Sequence, residues 1–195
     1  MASSQLSPAL VEAIPGLAYL PEFISHEQEA ELLRHIDAQC WITELKRRVQ
    51  HYGYRYDYKA RGVSTESNLG PLPDWLQPYT AHLHAQGIFT KAPDQVIVNE
   101  YQPGQGISAH IDCVPCFGEP IASLSLSSQC MMDFTHGKTG EKHSILLAPC
   151  SLIVLSGNAR YHWKHAIASR KSDRYSGAVT SRERRVSLTF RMMKN

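Results

Sequence analysis

The sequence contains no long apolar run. Its longest apolar stretches, such as residues 152–155, fall far short of the roughly 20 residues that a membrane-spanning helix needs. The N-terminal residues also lack the basic start of a secretion signal, and Glu12 interrupts their apolar stretch. We therefore expect a cytoplasmic protein that has no membrane partner.

Cysteine is scarce, and its pattern excludes a disulfide-rich scaffold. The chain has five cysteines in 195 residues, so free thiols are expected. Cys113 and Cys116 have the spacing of half a zinc site, but no second Cys-x-x-Cys pair follows to complete a tetrahedron. This pattern does not favour a structural zinc site at that pair.

Internal repeats and low-complexity tracts are also missing. Hydrophobic residues make up 43% of the chain, which excludes disorder and is enough for one sizeable core. We predict a flexible N-terminal tail over residues 1–15 and a single domain over residues 16–195.

The small net charge of +2 conceals a strong segregation of charge. Residues 46–61 contain six cations and one acidic residue, and residues 160–195 contain ten and two, whereas the rest of the chain is acidic. Clustered cations displace counterions from phosphates, so the pattern favours a polyanionic partner bound by one face. The alternative is scattered, solvated charge.

Two helices are predicted to precede a β-rich remainder. Ser25 and Gln28 form a capping-box pattern, which predicts a helix over residues 26–39, and a second helix is predicted from Pro73 to Gly87. From Asp94 onward, short runs separated by turn residues predict a mainly β fold with flanking α, with a jelly-roll (double-stranded β-helix) core of about eight strands. The runs are 95–101, 107–112, 121–127, 130–134, 143–148, 151–156, 161–167 and 185–191.

One short pattern indicates a metal site. His110 and Asp112 lie two residues apart on or beside a predicted strand, so they project from the same face. With a histidine from a distant strand, they would form the two-histidine, one-carboxylate set that leaves open positions on iron(II). His-x-Asp also occurs by chance in a chain with ten histidines.

The last strand alternates polar and apolar residues, with Arg185, Ser187, Thr189 and Arg191 on one face. Inward arginines need anionic partners, and a dicarboxylate suits them because guanidinium binds carboxylate through two parallel hydrogen bonds. The polar face could equally be the outer face of an edge strand.

Four segments together resemble the AlkB-type iron(II)- and 2-oxoglutarate-dependent dioxygenases. They are VNEYQPGQGISAHID (98–112), SLSLSS (123–128), SGNARYHWKHAI (156–167) and RRVSLTFR (184–191). The first and third are most similar to the branch that includes a tRNA wobble-uridine hydroxylase and bacterial etheno-adduct repair enzymes. The resemblance implies a jelly-roll enzyme that uses Fe(2+), 2-oxoglutarate and O2.

The resemblance also implies roles for individual residues. The metal ligands, which are also the catalytic residues, would be His110, Asp112 and His165, with His162 competing for the third place. Arg185 would pair with the distal carboxylate of 2-oxoglutarate. The rest of that pocket would be Asn99, Tyr101, Ser187 and Arg191, of which Ser187 departs from the Asn common in the family.

Residues 46–61 resemble the family's nucleotide lid in position and character. Their cations alternate with tyrosines, which suits phosphate binding and base stacking, although an exposed β-hairpin would show the same alternation. Val114 replaces an acidic residue of enzymes that repair methylated adenine or cytosine, which favours an etheno ring or a substituted uridine. The predicted substrate-binding residues are Arg48, His51, Tyr52, Tyr54, Arg55, Tyr56, Val114 and Arg160.

We therefore expect an enzyme that oxidatively dealkylates methyl or etheno adducts in DNA or RNA. Its expected partner is alkylated nucleic acid, and the chain is expected to be a monomer. The alternatives are hydroxylation of a modified tRNA wobble uridine, oxidation of a protein or small molecule, and a non-enzymatic jelly-roll binding module.

Overall fold

The computed structural model describes residues 13–63 and 67–194, so most of the predicted tail lies outside the described residues. Within these ranges no helix is long and apolar enough to cross a membrane. The elements are β1 (Leu17–Leu20), α1 (His26–Asp37), β2 (Arg48–Tyr52), α2 (Gln77–Ala85), β3 (Gln95–Tyr101), β4 (Ile107–His110), β5 (Ile121–Ser127), β6 (Cys130–His136), β7 (Lys142–Leu147), β8 (Leu152–Leu155), α3 (Gly157–Tyr161), β9 (Trp163–Ile167), β10 (Ser172–Tyr175), β11 (Ala178–Ser181) and β12 (Arg185–Arg191).

Two antiparallel sheets dominate the described part of the chain. The larger has the strand order β1-β8-β5-β12-β3-β2 and the smaller has the order β4-β9-β6-β7. A mainly β fold is therefore confirmed. The strand β1 is not predicted by the sequence, because it is a four-residue edge strand. The strand β2 lies in residues 46–61, where only the β-hairpin alternative to the lid predicts a strand.

The larger sheet has apolar packing on both faces. Helices α1 and α2 cover one face, where Leu32 and Leu83 pack with Leu188 of β12. A second buried cluster joins the other face to the smaller sheet and includes Ile153 and Phe134. The strand β12 lies between β5 and β3 in the middle of the larger sheet, so the edge-strand alternative is wrong. Its polar row faces the cavity between the two sheets.

The first helix begins where its capping pattern predicts. The Ser25 hydroxyl accepts from the Gln28 backbone N–H, and the Gln28 side chain accepts from the Ser25 N–H, which satisfies two otherwise free donors. The second helix begins at Gln77, four residues later than Pro73, after a pair of turns. Pro78 lies in the first turn of this helix, where a missing N–H costs no helical hydrogen bond.

The segment 168–184, whose content of Ser, Arg and Gly is typical of a loop, contains the hairpin β10–β11. The buried Asp173 carboxylate accepts from Nε of Arg182 at 2.6 Å, from Nε of Arg170 at 2.7 Å and from the Met131 backbone N–H at 3.1 Å. Two of the cations in the basic C-terminal segment, Arg170 and Arg182, therefore bind this internal carboxylate.

Candidate active site

A cavity of about 770 Å³ is lined by strands of both sheets. The larger sheet contributes β3, β5, β8 and β12, and the smaller contributes β4, β6 and β9. Ordinary ligand pockets have volumes of roughly 300–1,000 Å³, so the space suits a small cosubstrate together with part of a larger substrate.

His110, Asp112 and His165 meet on one wall of this cavity. Pairing of β4 with β9 places His110 opposite His165, with ring centroids 4.4 Å apart. Oδ1 of Asp112 lies 3.4 Å from Nε2 of His110 and 3.6 Å from Nε2 of His165. One ligand atom from each residue thus lies within 4.8 Å of the others, which fits a single metal ion.

The two imidazoles of the triad have different surroundings. Nδ1 of His110 is 2.7 Å from the Ser108 carbonyl, which can only accept, so this nitrogen carries the proton and Nε2 is left to ligate. Burial lowers the pKa of His165 to about 4, so its ring is neutral. Nδ1 of His165 is buried and has no hydrogen-bond partner among the described residues.

Arg191 holds the carboxylate of Asp112. Its Nε donates to Oδ2 of Asp112 at 2.7 Å, and its Nη1 donates to Oε1 of Gln95 at 3.1 Å. Burial by itself would raise the pKa of Asp112, but the Arg191 guanidinium outweighs it and holds the pKa well below its ordinary value. Asp112 is therefore an anionic ligand candidate whose Oδ1 faces both histidines.

Arg160, predicted to bind substrate, requires a correction. Its side chain is only 2% exposed and donates to the backbone carbonyls of Asp112 at 3.0 Å, Cys113 at 3.4 Å and Phe117 at 3.3 Å. Asp112 and Phe117 are the two ends of a loop with four residues between them, and Arg160 donates to the carbonyls at both ends. Its placement supports a role in positioning Asp112 instead of a substrate contact.

The expectation of free thiols is wrong for one pair of cysteines. Cys113 and Cys116 are joined by a disulfide, whereas Cys40, Cys130 and Cys150 are free. The Phe117 N–H donates to the Cys113 carbonyl in a tight turn, which brings the two cysteine Cα atoms to 5.2 Å, within the usual disulfide range.

The polar row of β12 forms an anion pocket beside the triad. Arg185 is 3% exposed, donates from Nη2 to the Ser125 hydroxyl at 2.7 Å, and lies over the Tyr101 ring. Its Nε and Nη1 are buried and have no partner among the described residues. A buried guanidinium with two free donors requires an acceptor, and a carboxylate of 2-oxoglutarate fits.

The other predicted cosubstrate residues line the same cavity. Ser187 lies opposite Asn99 and Arg185 lies opposite Tyr101 in the β12–β3 register, so all four face one side of the sheet. Oδ1 of Asn99 accepts from Nε of Arg47 at 2.9 Å. Arg47 was not among the predicted residues, although it stands in the basic segment beside them.

Of the predicted substrate-binding residues, Tyr56 alone lines the cavity. His51 lies in an adjoining smaller pocket and its Nδ1 accepts from the Tyr56 N–H, while Tyr54 pairs with Asn68 in an isolated bridge.

The remaining members of that set do not line the cavity, and their substrate contacts stay predictions. Arg48 forms a two-bond ion pair with Glu100, and Arg55 pairs with Glu44. Tyr52 packs edge-on against Trp75 in the helix-covered core. Val114 is 39% exposed and lies outside the lining residues.

Sequence reasoning missed several residues at the cavity mouth. Tyr58 packs edge-on against Tyr56 with ring centroids 5.2 Å apart, and Lys46 and Arg61 bring exposed cations to the same rim. Spacing could have found Tyr58, since it shares the alternation that made Tyr56 a candidate. Lys46 and Arg61 mark the two ends of the basic segment.

Comparisons with known proteins agree with this geometry. The family model described as 2OG-Fe(II) oxygenase superfamily matches residues 16–191. The "Alkylated DNA repair protein ALKBH8 homolog" of Arabidopsis thaliana is 39% identical over 93% of this chain and 59% of its own length. The "tRNA (carboxymethyluridine(34)-5-O)-methyltransferase alkbh8" of Xenopus tropicalis is 36% identical over 97% of this chain and 33% of its own length.

The fold also has solved counterparts. The structure of OsALKBH1 superposes with a TM-score of 0.65 at 17% identity and covers 91% of this chain and 97% of its own. This likeness supports the predicted jelly-roll class. The chain spans less than two thirds of the length of the two relatives, so activities of those whole proteins are not carried over with the match.

Proposed function

Because the chain belongs to the 2OG-Fe(II) oxygenase superfamily, and within it to the AlkB-type proteins, we propose that it oxidatively dealkylates damaged bases in DNA or RNA. One observation carries the substrate class: the cavity that holds the His-Asp-His triad opens at a rim of cations and tyrosines. Such a rim suits a nucleotide better than a neutral metabolite, because cations bind phosphate and rings stack on bases.

Proteins of this family need Fe(2+), 2-oxoglutarate and O2. When bound, these three supply the oxidising power that converts an alkyl C–H group into an alcohol while 2-oxoglutarate loses CO2 and becomes succinate. An alcohol on a carbon attached to a base nitrogen then breaks its N–C bond, which releases a carbonyl compound, formaldehyde for a methyl group, and restores the base. In the proposal, His110, Asp112 and His165 hold the iron, and Arg191 keeps the Asp112 carboxylate ionised. Arg185 binds the distal carboxylate of 2-oxoglutarate.

The rim residues would hold the target nucleotide. Tyr56 and Tyr58 offer aromatic surface at the entrance, and Lys46, Arg47 and Arg61 offer positive charge. A base in a duplex must first leave the stack, which costs least where the pair is damaged. Placing one modified base inside the cavity while the phosphates remain at the rim is the geometry this arrangement favours.

Hydroxylation of a modified wobble uridine is the second candidate. One observation favours it: the printed name of a relative specifies a carboxymethyluridine at position 34 of tRNA.

A product-resolved mass-spectrometric assay tests both candidates. The purified protein, with iron, 2-oxoglutarate and ascorbate, is given oligonucleotides carrying methyl or etheno bases and, separately, tRNA with a modified wobble uridine. We expect the adduct to be lost and succinate to be formed in equal amounts, and we expect no product from Asp112→Asn. Product from tRNA alone would select the second candidate, and activity on neither nucleic acid would overturn the proposal.

A further inference from the structure

A second convergence of metal-ligating side chains lies outside the active-site cavity. His26 is the first residue of α1, Glu29 follows three residues later, and Cys150 lies in the turn between β7 and β8. Nδ1 of His26 is 3.4 Å from Sγ of Cys150 and 3.2 Å from Oε2 of Glu29. The three potential ligand atoms lie within 4.8 Å of one another.

The geometry differs from that of a catalytic Cys-His-Glu relay. A relay uses one ring nitrogen for the nucleophile and the other for the carboxylate. Here the thiol and the carboxylate both approach Nδ1 of His26, which carries at most one proton and cannot bond both groups in the same way. Three donors that point at one spot match the needs of a cation.

Contacts outside the cluster fix two of the three ligands. Oε1 of Glu29 accepts from the Ser127 backbone N–H at 2.7 Å, so Oε2 is left facing the cluster. Cys150 is 2% exposed, and its carbonyl accepts from the Phe23 N–H at 2.8 Å and the Ile24 N–H at 3.3 Å. Partners of this kind orient ligands in established metal sites.

Solvent can reach the cluster from one side. The His26 side chain is 87% exposed, whereas that of Glu29 is 12% exposed. A cation bound here would therefore have a route of entry past the imidazole and room for a water ligand. Burial, with Glu29 alongside, raises the pKa of Cys150 to about 12, so a bound cation must displace the thiol proton.

We propose that His26, Glu29 and Cys150 form a binding site for Zn²⁺, with water in the fourth position. Zinc accepts sulfur, nitrogen and oxygen donors together in a tetrahedral arrangement, and a thiolate disfavours the hard cations Mg²⁺ and Ca²⁺. The ion would join the start of α1 to the β7–β8 turn. Through Glu29 and Ser127 it would also tie both to the end of β5. This site goes beyond the proposed oxygenase function.

Cobalt(II) is the sharpest probe, because it replaces zinc and gives a sulfur-to-cobalt charge-transfer band that the His-Asp-His triad cannot produce. We expect the band in the wild-type protein and in His110→Ala. It should be lost in Cys150→Ser, and His26→Gln should bind cobalt at least about tenfold more weakly. His26→Gln alters an exposed side chain, so it tests the site without disturbing the core.

Cys40→Ser is the matched control, since Cys40 is free and exposed and lies outside the cluster. It should keep the band unchanged. In the His110→Ala background, added Zn²⁺ should raise the melting temperature, and the further change Cys150→Ser should abolish that rise. Absence of the band in the wild type, or its persistence in Cys150→Ser, would overturn the proposal. Neither result depends on turnover, so failure of the oxygenase proposal would be seen separately.

Discussion

At the scale of single residues, Arg185 is the most direct test of the cosubstrate pocket. Two of its donor nitrogens are buried without a partner among the described residues. We expect Arg185→Lys to weaken 2-oxoglutarate binding, because an ammonium cannot form the two parallel hydrogen bonds that a guanidinium offers a carboxylate. The loss of a charged hydrogen bond, about 1.5–3 kcal/mol, corresponds to roughly ten- to hundredfold weaker binding, measured by titration calorimetry on the Mn²⁺-loaded protein.

Arg184→Lys is the neighbouring control for this measurement. The Arg184 side chain bonds to Glu100 and Asp37 and does not line the cavity. Its substitution should leave 2-oxoglutarate affinity within about twofold, since the Arg184 side chain lies outside the cavity and lysine keeps the positive charge. Equal losses in both variants would show that Arg185 acts through stability instead of cosubstrate binding.

Predictability differs among the site residues for physical reasons. The alternation along β12 could be recognised in the sequence because its partner strands hold it straight for seven residues. The choice of His165 over His162 rests on resemblance, and the β4–β9 register is what brings His165 to His110. The role of Arg160 could not be inferred, because carbonyls that accept from a distant guanidinium leave no pattern along the chain.

At the scale of elements, the β10–β11 hairpin depends on one buried carboxylate. Burial by itself would raise the pKa of Asp173, but the hydrogen bonds from Arg182, Met131 and Arg170 lower it below its ordinary value of 3.8. The composition of this segment does not indicate a hairpin. A segment rich in Ser, Arg and Gly resembles a loop until Asp173 pairs with its arginines.

We expect Asp173→Asn to lower the free energy of unfolding by about 3 kcal/mol near neutral pH, because it leaves the buried Arg182 without its counter-ion. A lowered folded-state pKa means that the wild-type contribution is complete above the unfolded value and is lost as pH falls through the folded one. Urea unfolding should therefore show the difference between wild type and variant narrowing below about pH 4. Asp133→Asn, which alters a half-buried carboxylate bonded to Ser144, is the control, and a gap independent of pH would contradict the assignment.

At the scale of the whole molecule, the charge pattern of the sequence is only partly a surface pattern. Six of the ten cations in residues 160–195 have internal or ion-paired positions: Arg160, Arg170, Arg182, Arg184, Arg185 and Arg191. Counting charge along the chain therefore overstates the basic face at the C-terminal end. The cavity rim keeps its positive charge, because no carboxylate pairs with Lys46 or Arg61 among the described residues.

These two rim cations give the last prediction. If the rim binds phosphates, Lys46→Gln and Arg61→Gln should each weaken binding of a single-stranded oligonucleotide, and each should flatten the plot of log affinity against log salt by about 0.7, since one counterion contact is lost. Fluorescence anisotropy across a salt series measures both effects. Lys138→Gln, in the exposed turn between β6 and β7, removes the same charge away from the cavity and should leave the slope unchanged. A slope that falls equally for all three variants would indicate a diffuse attraction to the whole molecule, and the rim would then lose its assigned role in binding the nucleotide.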